Sequence, residues 1–201
     1  MRTAHGYGRL VGFSDGVVAI AITLLILPLV DAASDYDGSV GTFVVEHLGK
    51  LLLFLLSFAV IGNFWLVHHR TFERITSYNT PLLWANLLWL LSIVFLPFPT
   101  ALLASSPGGD RASYVLYVGT MVVTTAAELV IQTIIVRTPE LQAEEVRGTL
   151  TVRPYVTPLV IMVVALLIAA LLPGIGLWGL ALFALSGPIE AQLARRKKQA
   201  S

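Results

Sequence analysis

The sequence predicts an all-α integral membrane protein of six transmembrane helices, and three observations carry that prediction. Of 201 residues, 56% are hydrophobic and only 12% charged, and the mean hydropathy of +0.81 lies outside the range of soluble globular domains. Apolar runs of the roughly 20 residues needed to cross about 30 Å of hydrocarbon fall near residues 13–30, 47–67, 82–104, 113–136, 155–172 and 175–191. The basic residues divide unevenly between the connecting segments. With both termini cytoplasmic, Arg2, Arg9, Arg70, Arg74, Arg137, Arg147, Arg153, Arg195, Arg196, Lys197 and Lys198 lie inside, and only Lys50 and Arg111 outside. That asymmetry sets the orientation by the positive-inside rule and supports an even number of spans. The spans use up nearly the whole chain, so residues 1–201 read as one membrane domain.

The first span, RLVGFSDGVVAIAITLLIL from Arg9 to Leu27, is the most informative. Phe13-Ser14-Asp15 opens a helix that is otherwise apolar, and an ionisable group at the edge of a span persists only if it pairs, hydrates or faces protein, so it marks a functional or assembly site. The basic start and Val30-Asp31-Ala32-Ala33 resemble a cleavable signal peptide. The apolar region is too long for one, and an aspartate at its entrance is out of place. On a regular helix of about 100° per residue, Ile20, Leu24 and Leu27 share a stripe about 60° wide with Thr23 on its flank, and Asp15 lies about 140° from Ile20. Ser14 and Asp15 are therefore expected to face the bundle. The apolar stripe faces another surface, which periodicity alone reads as lipid or ordinary packing rather than a pore, because apolar stripes are commonplace in membrane helices.

Asp31 to Gly41 is a polar outer loop containing Asp31, Asp35 and Asp37, with Glu46 adding a fourth acid. Trp65, His68 and His69 close the second span, and Asn86 and Trp89 lie early in the third, all near the depth of Asp15. Pro97 and Pro99 should kink or end the third span, whereas Pro28, Pro158 and Pro188 fall near helix ends, where proline costs less. Ser105 to Asp110 and Pro173-Gly174 read as tight outer connections, the second joining spans five and six as a hairpin. Glu128 and Gln132, four apart in the fourth span, read as polar glue between helices or as a relay for protons or ions. In the longest inner segment, Arg137 to Arg153, Pro139 followed by Glu140, Glu144 and Glu145 predicts a short surface helix. The closing Arg195 to Lys198 run reads as an anchor at anionic lipid rather than a nucleic-acid contact.

Several chemistries are excluded. Gly12-Phe13-Ser14-Asp15-Gly16 matches the G-x-S-x-G pattern of a serine nucleophile, but that motif requires a strand, a sharp turn and a helix, and here it enters a membrane helix. The chain has no cysteine, His68 and His69 are adjacent and diverge, and no i, i+4 partner completes a metal site. A hydrogen-bonded network of Asp15, Ser14, one histidine and Asn86 fits these residues better, since each would otherwise be buried unpaired.

Arg9, three residues, Phe13-Ser14-Asp15 and then an apolar first helix resemble the R-x3-FSD signature of the transmembrane protein 175 potassium channel family in its short prokaryotic form. The six-span topology and the region of His68 agree with that resemblance. It implies a homotetramer in the cell membrane of a prokaryote, with the first helices lining a central pore. No TVGYG filter loop is present, in keeping with the family. The resemblance further implies a constriction of Ile20, Leu24 and Leu27, a hydroxyl layer at Thr23, and a motif and inter-helix network of Arg9, Phe13, Ser14, Asp15, His68 and Asn86. The expected function is passive, potassium-selective conduction, with no enzymatic activity, no cofactor beyond the permeant ions, and the lipid bilayer as surrounding partner. A proton-conducting channel or a small proton-linked transporter using Asp15, His68 and Glu128 is the alternative, although no internal repeat of the kind such carriers use is evident. A membrane scaffold, with FSD serving assembly alone, is the third class.

Overall fold

A computed structural model of the chain describes residues 4–105 and 110–171. Most of the predicted outer turn after Ser105, the Pro173-Gly174 break, Pro188, the sixth span and the Arg195 to Lys198 run lie outside the described residues. Those residues contain no strand, and five segments are long and apolar enough to cross a membrane: Gly6–Ser34, Leu48–Phe72, Thr80–Ser105, Arg111–Arg137 and Arg153–Leu171. They coincide with the first five predicted spans.

The first segment is two helices, α1 (Ala4–Leu24) and α2 (Leu27–Ser34). Between them Leu25 and Ile26 turn more tightly, their N–H groups bonding the carbonyls of Ile22 and Thr23, three residues back, at 3.3 and 3.4 Å. Pro28 supplies the reason. It has no N–H to offer the Leu24 carbonyl four residues earlier, and its ring crowds that carbonyl. Pro28 does sit near a helix end, in the first turn of α2, but that end falls inside the span because the helical path runs on to Ser34. The outer polar loop is correspondingly shorter than expected, because Asp31 belongs to α2 and Glu46 to a short α3 (Val40–Glu46), whose first turn is capped by the Ser39 hydroxyl.

The second segment is α4 (Leu48–Phe72). The third begins at α5 (Thr80–Phe95), capped by Asn79 Oδ1 accepting from the Leu82 N–H at 2.9 Å, and resumes after Leu96 as α6 (Pro97–Ser105). The interruption expected from Pro97 and Pro99 is therefore present. Asp110 caps α7 (Arg111–Arg137), and α8 (Arg153–Leu171) carries Pro158 inside its N-terminal half.

The surface helix predicted after Arg137 does not form. Instead, Pro139–Leu141 and Glu144–Val146 make two single 3-10 turns, and the segment docks on the connection after α4. The Thr76 N–H bonds the Leu141 carbonyl and the Ala143 N–H bonds the Arg74 carbonyl, both at 2.9 Å. Gln142 fastens the turn from within. Its Nε2 donates to the Ile135 carbonyl at 2.7 Å and its Oε1 accepts from the Gly148 N–H at 2.8 Å, with Gly148 at a φ of +76° that favours glycine. Backbone polar groups that a helix would have satisfied internally are thus satisfied across the loop.

Among these helices α7 packs most extensively, on α8 and α5; α5 also packs on α1, and α4 on α1 and α6. Trp89, Tyr117, Phe72, Ile61, Leu82 and Ile93 fill the interior. Arg70, Arg74, Arg137, Arg147 and Arg153 lie at the end of the bundle where α4 and α7 finish and α8 begins, beside the docked loop.

Candidate functional site: helix one and what holds it

Two faces divide α1. Leu10, Ser14, Val18 and Ala21, continued by Leu25 in the turn, are all buried at helical spacing against α4, α5 and α6. The opposite side is open: Ile20 is 61% exposed, Leu24 38% and Leu27 48%, with Thr23 exposed between them. The Thr23 hydroxyl donates to the Ile20 carbonyl at 2.7 Å, which leaves its oxygen lone pairs free. Leu27, beyond the break at Leu25, is exposed as Ile20 and Leu24 are.

Polar side chains fasten the inward face near the basic end. Ser14 Oγ donates to the Leu10 carbonyl at 3.0 Å and accepts from Asn86 Nδ2 at 3.0 Å. Asn86 Oδ1 in turn lies 2.8 Å from His68 Nε2, and because an amide oxygen only accepts, the imidazole is the donor. The His68 ring is stacked between Phe72 and Trp89, with centroids at 4.3 and 3.9 Å. Beside this chain, Trp65 Nε1 donates to Asp15 Oδ1 at 2.8 Å. The Tyr7 hydroxyl closes the same end by donating to the Phe72 carbonyl.

The structure links Ser14, Asn86 and His68 by hydrogen bonds and leaves Asp15 outside that chain, bonded to Trp65. The single network expected from the sequence is two: a serine, asparagine and histidine chain, and a tryptophan and aspartate pair. The reason is angular, since neighbouring residues on a helix diverge by about 100° and Asp15 thereby turns towards α4 while Ser14 faces α5. Arg9 and Phe13 stand outside both contacts, Arg9 being exposed and Phe13 lying 55% exposed on the open side of α1. Two further polar clusters carried no motif. Thr71 of α4 contacts Glu128 of α7 and Tyr155 of α8; Ser57 of α4 contacts Tyr117 of α7 and Thr100 of α6. Hydroxyl side chains inside apolar spans were the available signal, since buried polar groups require partners.

A bundle of apolar spanning helices, whose first helix is pinned by polar side chains on one face and open on the other, defines a polytopic α-helical membrane protein. Its sequence matches the family described as endosomal/lysosomal potassium channel TMEM175 over residues 9–97, a range that takes in the FSD motif, Trp65, His68 and Asn86. It is 40% identical over 108 residues to a protein of Streptomyces collinus named a potassium channel, covering 54% of this chain and 52% of that one. A potassium channel of Chamaesiphon minutus is 44% identical over 101 residues, 48% of this chain and 49% of the relative. These alignments span about half the length of each relative. In structure the chain resembles the crystal structure of a lysosomal potassium-selective channel TMEM175 homologue from Chamaesiphon minutus, with a TM-score of 0.74 and 26% identity, covering 92% of this chain and 98% of that one. Residues 9–97 thus match the TMEM175 family in sequence, and the chain shares the fold of a TMEM175 homologue.

Proposed function

We propose that the chain forms a potassium-selective channel in a prokaryotic cell membrane, passing ions passively through a central pore lined by α1 in a homotetramer with both termini cytoplasmic. The observation that carries the pore is the division of α1: one face is held by hydrogen bonds and packing, and Ile20, Thr23, Leu24 and Leu27 are left open on the other. The names of the bacterial relatives and of the solved homologue supply the ion. Ile20 is the narrowest layer, Leu24 and Leu27 extend the constriction, and Thr23 offers hydroxyl oxygens. An apolar ring cannot coordinate a cation, so selectivity rests on pore radius, ion hydration and the nearby hydroxyls, and gating on wetting of the constriction. Asp31, Asp35, Asp37 and Glu46, all exposed at the outer end, raise the local cation concentration. Ser14, Asp15, His68 and Asn86 position α1 and do not touch the ions, and no cofactor is required beyond the permeating potassium.

Proton conduction is the second reading, favoured by the vertebrate relatives: the chicken protein, 32% identical over 108 residues, is named an endosomal/lysosomal proton channel. Potassium, sodium and proton flux into liposomes carrying the purified protein separates the two readings. Potassium flux above sodium flux supports the first, and acidification without potassium flux supports the second. Ile20→Asn is expected to raise cation flux and weaken discrimination; conduction identical to that of the unaltered protein would overturn the pore assignment.

A further inference from the structure

Away from α1, the cluster on α7 has a hydrogen-bond pattern that lacks one donor. Glu128 is 5% exposed and Gln132 1%, and they lie one turn apart on the same face of α7. Glu128 Oε1 accepts from the Thr71 hydroxyl at 2.8 Å, and that hydroxyl lies 2.9 Å from the Tyr155 hydroxyl. Gln132 Nε2 donates to the Thr151 carbonyl at 3.3 Å, which fixes the orientation of its amide. Among the described residues, two buried acceptors here are left without a donor: Glu128 Oε2 and Gln132 Oε1.

As a carboxylate, Glu128 would hold a full negative charge in the bundle against one neutral hydroxyl. Among the described residues no Lys, Arg or His nitrogen lies within ion-pair distance of it. The surrounding elements offer little else. α5 and α6 carry no titratable side chain, α7 has only Tyr114, Tyr117 and the terminal Arg111 and Arg137 besides Glu128, and α8 has Tyr155 and the exposed Arg153. On α4 the neighbouring His68 is committed to Asn86. An unpaired buried charge of this kind costs several kcal/mol.

One proton removes both defects. We infer that Glu128 is a buried proton-binding site, held as the neutral acid with its hydrogen on Oε2 and donated to Gln132 Oε1. The chain then runs from the Tyr155 hydroxyl through Thr71 and the Glu128 carboxyl to the Gln132 amide and the Thr151 carbonyl, joining α4, α7 and the start of α8 with every member satisfied. A metal ion is the poorer occupant, because the pattern lacks a single hydrogen rather than a coordination shell.

The test uses the full chain in lipid nanodiscs and needs no conduction, so it stands apart from the channel proposal. Infrared spectra at neutral pH are expected to contain the C=O stretch of a protonated carboxylic acid, shifted by deuterium exchange and absent from Glu128→Gln, whose amide N–H replaces the acid hydrogen. Gln132→Leu removes the acceptor and is expected to move the band to higher frequency, so the assignment survives even if Glu128→Gln fails to fold. A carboxylate signal from Glu128 in place of the acid band overturns the inference. Thermal midpoints in potassium, sodium and choline chloride form the second arm: equal ion effects in wild type and Glu128→Gln are expected, and a potassium-specific stabilisation lost in the variant would give these oxygens to a cation instead.

Discussion

Asn86 of α5 reaches Ser14 of α1 at 3.0 Å while its other amide atom takes the hydrogen of His68 on α4 at 2.8 Å, so one side chain ties three helices. Inside a membrane, apolar packing gains nothing from excluding water. Association therefore rests on close contact and on bonds of this kind.

Replacing Asn86 by leucine keeps the volume but strands the His68 N–H among aromatic rings. An orphaned buried donor costs about 1–3 kcal/mol. The thermal midpoint of Asn86→Leu in detergent should fall accordingly, and that of Ser14→Ala, which orphans a buried Asn86 N–H in the same way, should fall as well. Equal midpoints for all three proteins would show that the bond contributes nothing.

Asp15 and Trp65 form the second tie between α1 and α4. Asp15→Asn retains an oxygen acceptor for the indole N–H and is expected to stay near wild-type stability, whereas Asp15→Leu and Trp65→Phe each lose the bond. A double-mutant cycle on Asp15→Leu and Trp65→Phe should give a coupling of about 0.5–2 kcal/mol, the scale of hydrogen bonds between membrane helices. Additive losses would mean that the two side chains act independently.

Much of this arrangement was legible in the sequence for physical reasons. Hydrocarbon thickness fixes the length of a span, so the first five spans fall where apolar runs of that length predict them, the third to fifth to within two residues at each end. Helical rotation separated Ser14 from Ile20 before any contact was known. Two things resisted reading. The depth of Pro28 within its span depended on how far the helix continued past Asp31, and apolar composition does not encode a helix end. The partners of Asp15 and Glu128 depended on which helices are neighbours, and periodicity within one helix is silent about that. Trp65 lies close in depth to Asp15 but its own helix does not say that the two pair, and Thr71 and Tyr155 look like ordinary residues until the packing joins them.

Asp110 offers a stability switch outside the spanning segments. The Ser113 hydroxyl, followed by the Ser113 and Ala112 N–H groups, holds its carboxyl below the usual range. The charged form is thus favoured in the folded state, so the stabilisation is complete above the ordinary aspartate range near pH ~3.9 and is lost as pH falls through the lower folded value. Asp110→Asn keeps a capping oxygen but cannot titrate. Melting curves over a descending pH series should therefore converge for the two proteins at low pH, with wild type the more stable at neutral pH; parallel curves would remove Asp110 from the acid response.

The absence of cysteine makes the open stripe of α1 directly testable, since single cysteines can be introduced with no background thiol to remove. A stripe that faces lipid and a stripe that faces a water-filled pore are equally exposed in one chain, but they differ in access to a charged, membrane-impermeant thiol reagent. If α1 lines the pore, cysteines at Thr23, Leu24 and Leu27 should react from water and reduce potassium flux, with Ile20 slower because it is the narrowest layer. Cysteines at Val18, Ala21 and Leu25, which are buried against the bundle, should remain unmodified. Reaction should therefore follow the helical period and jump by one turn across the Pro28 break. Protection of every stripe position, with free reaction at Phe13 near the helix entrance, would assign the stripe to lipid and move the pore elsewhere in the assembly.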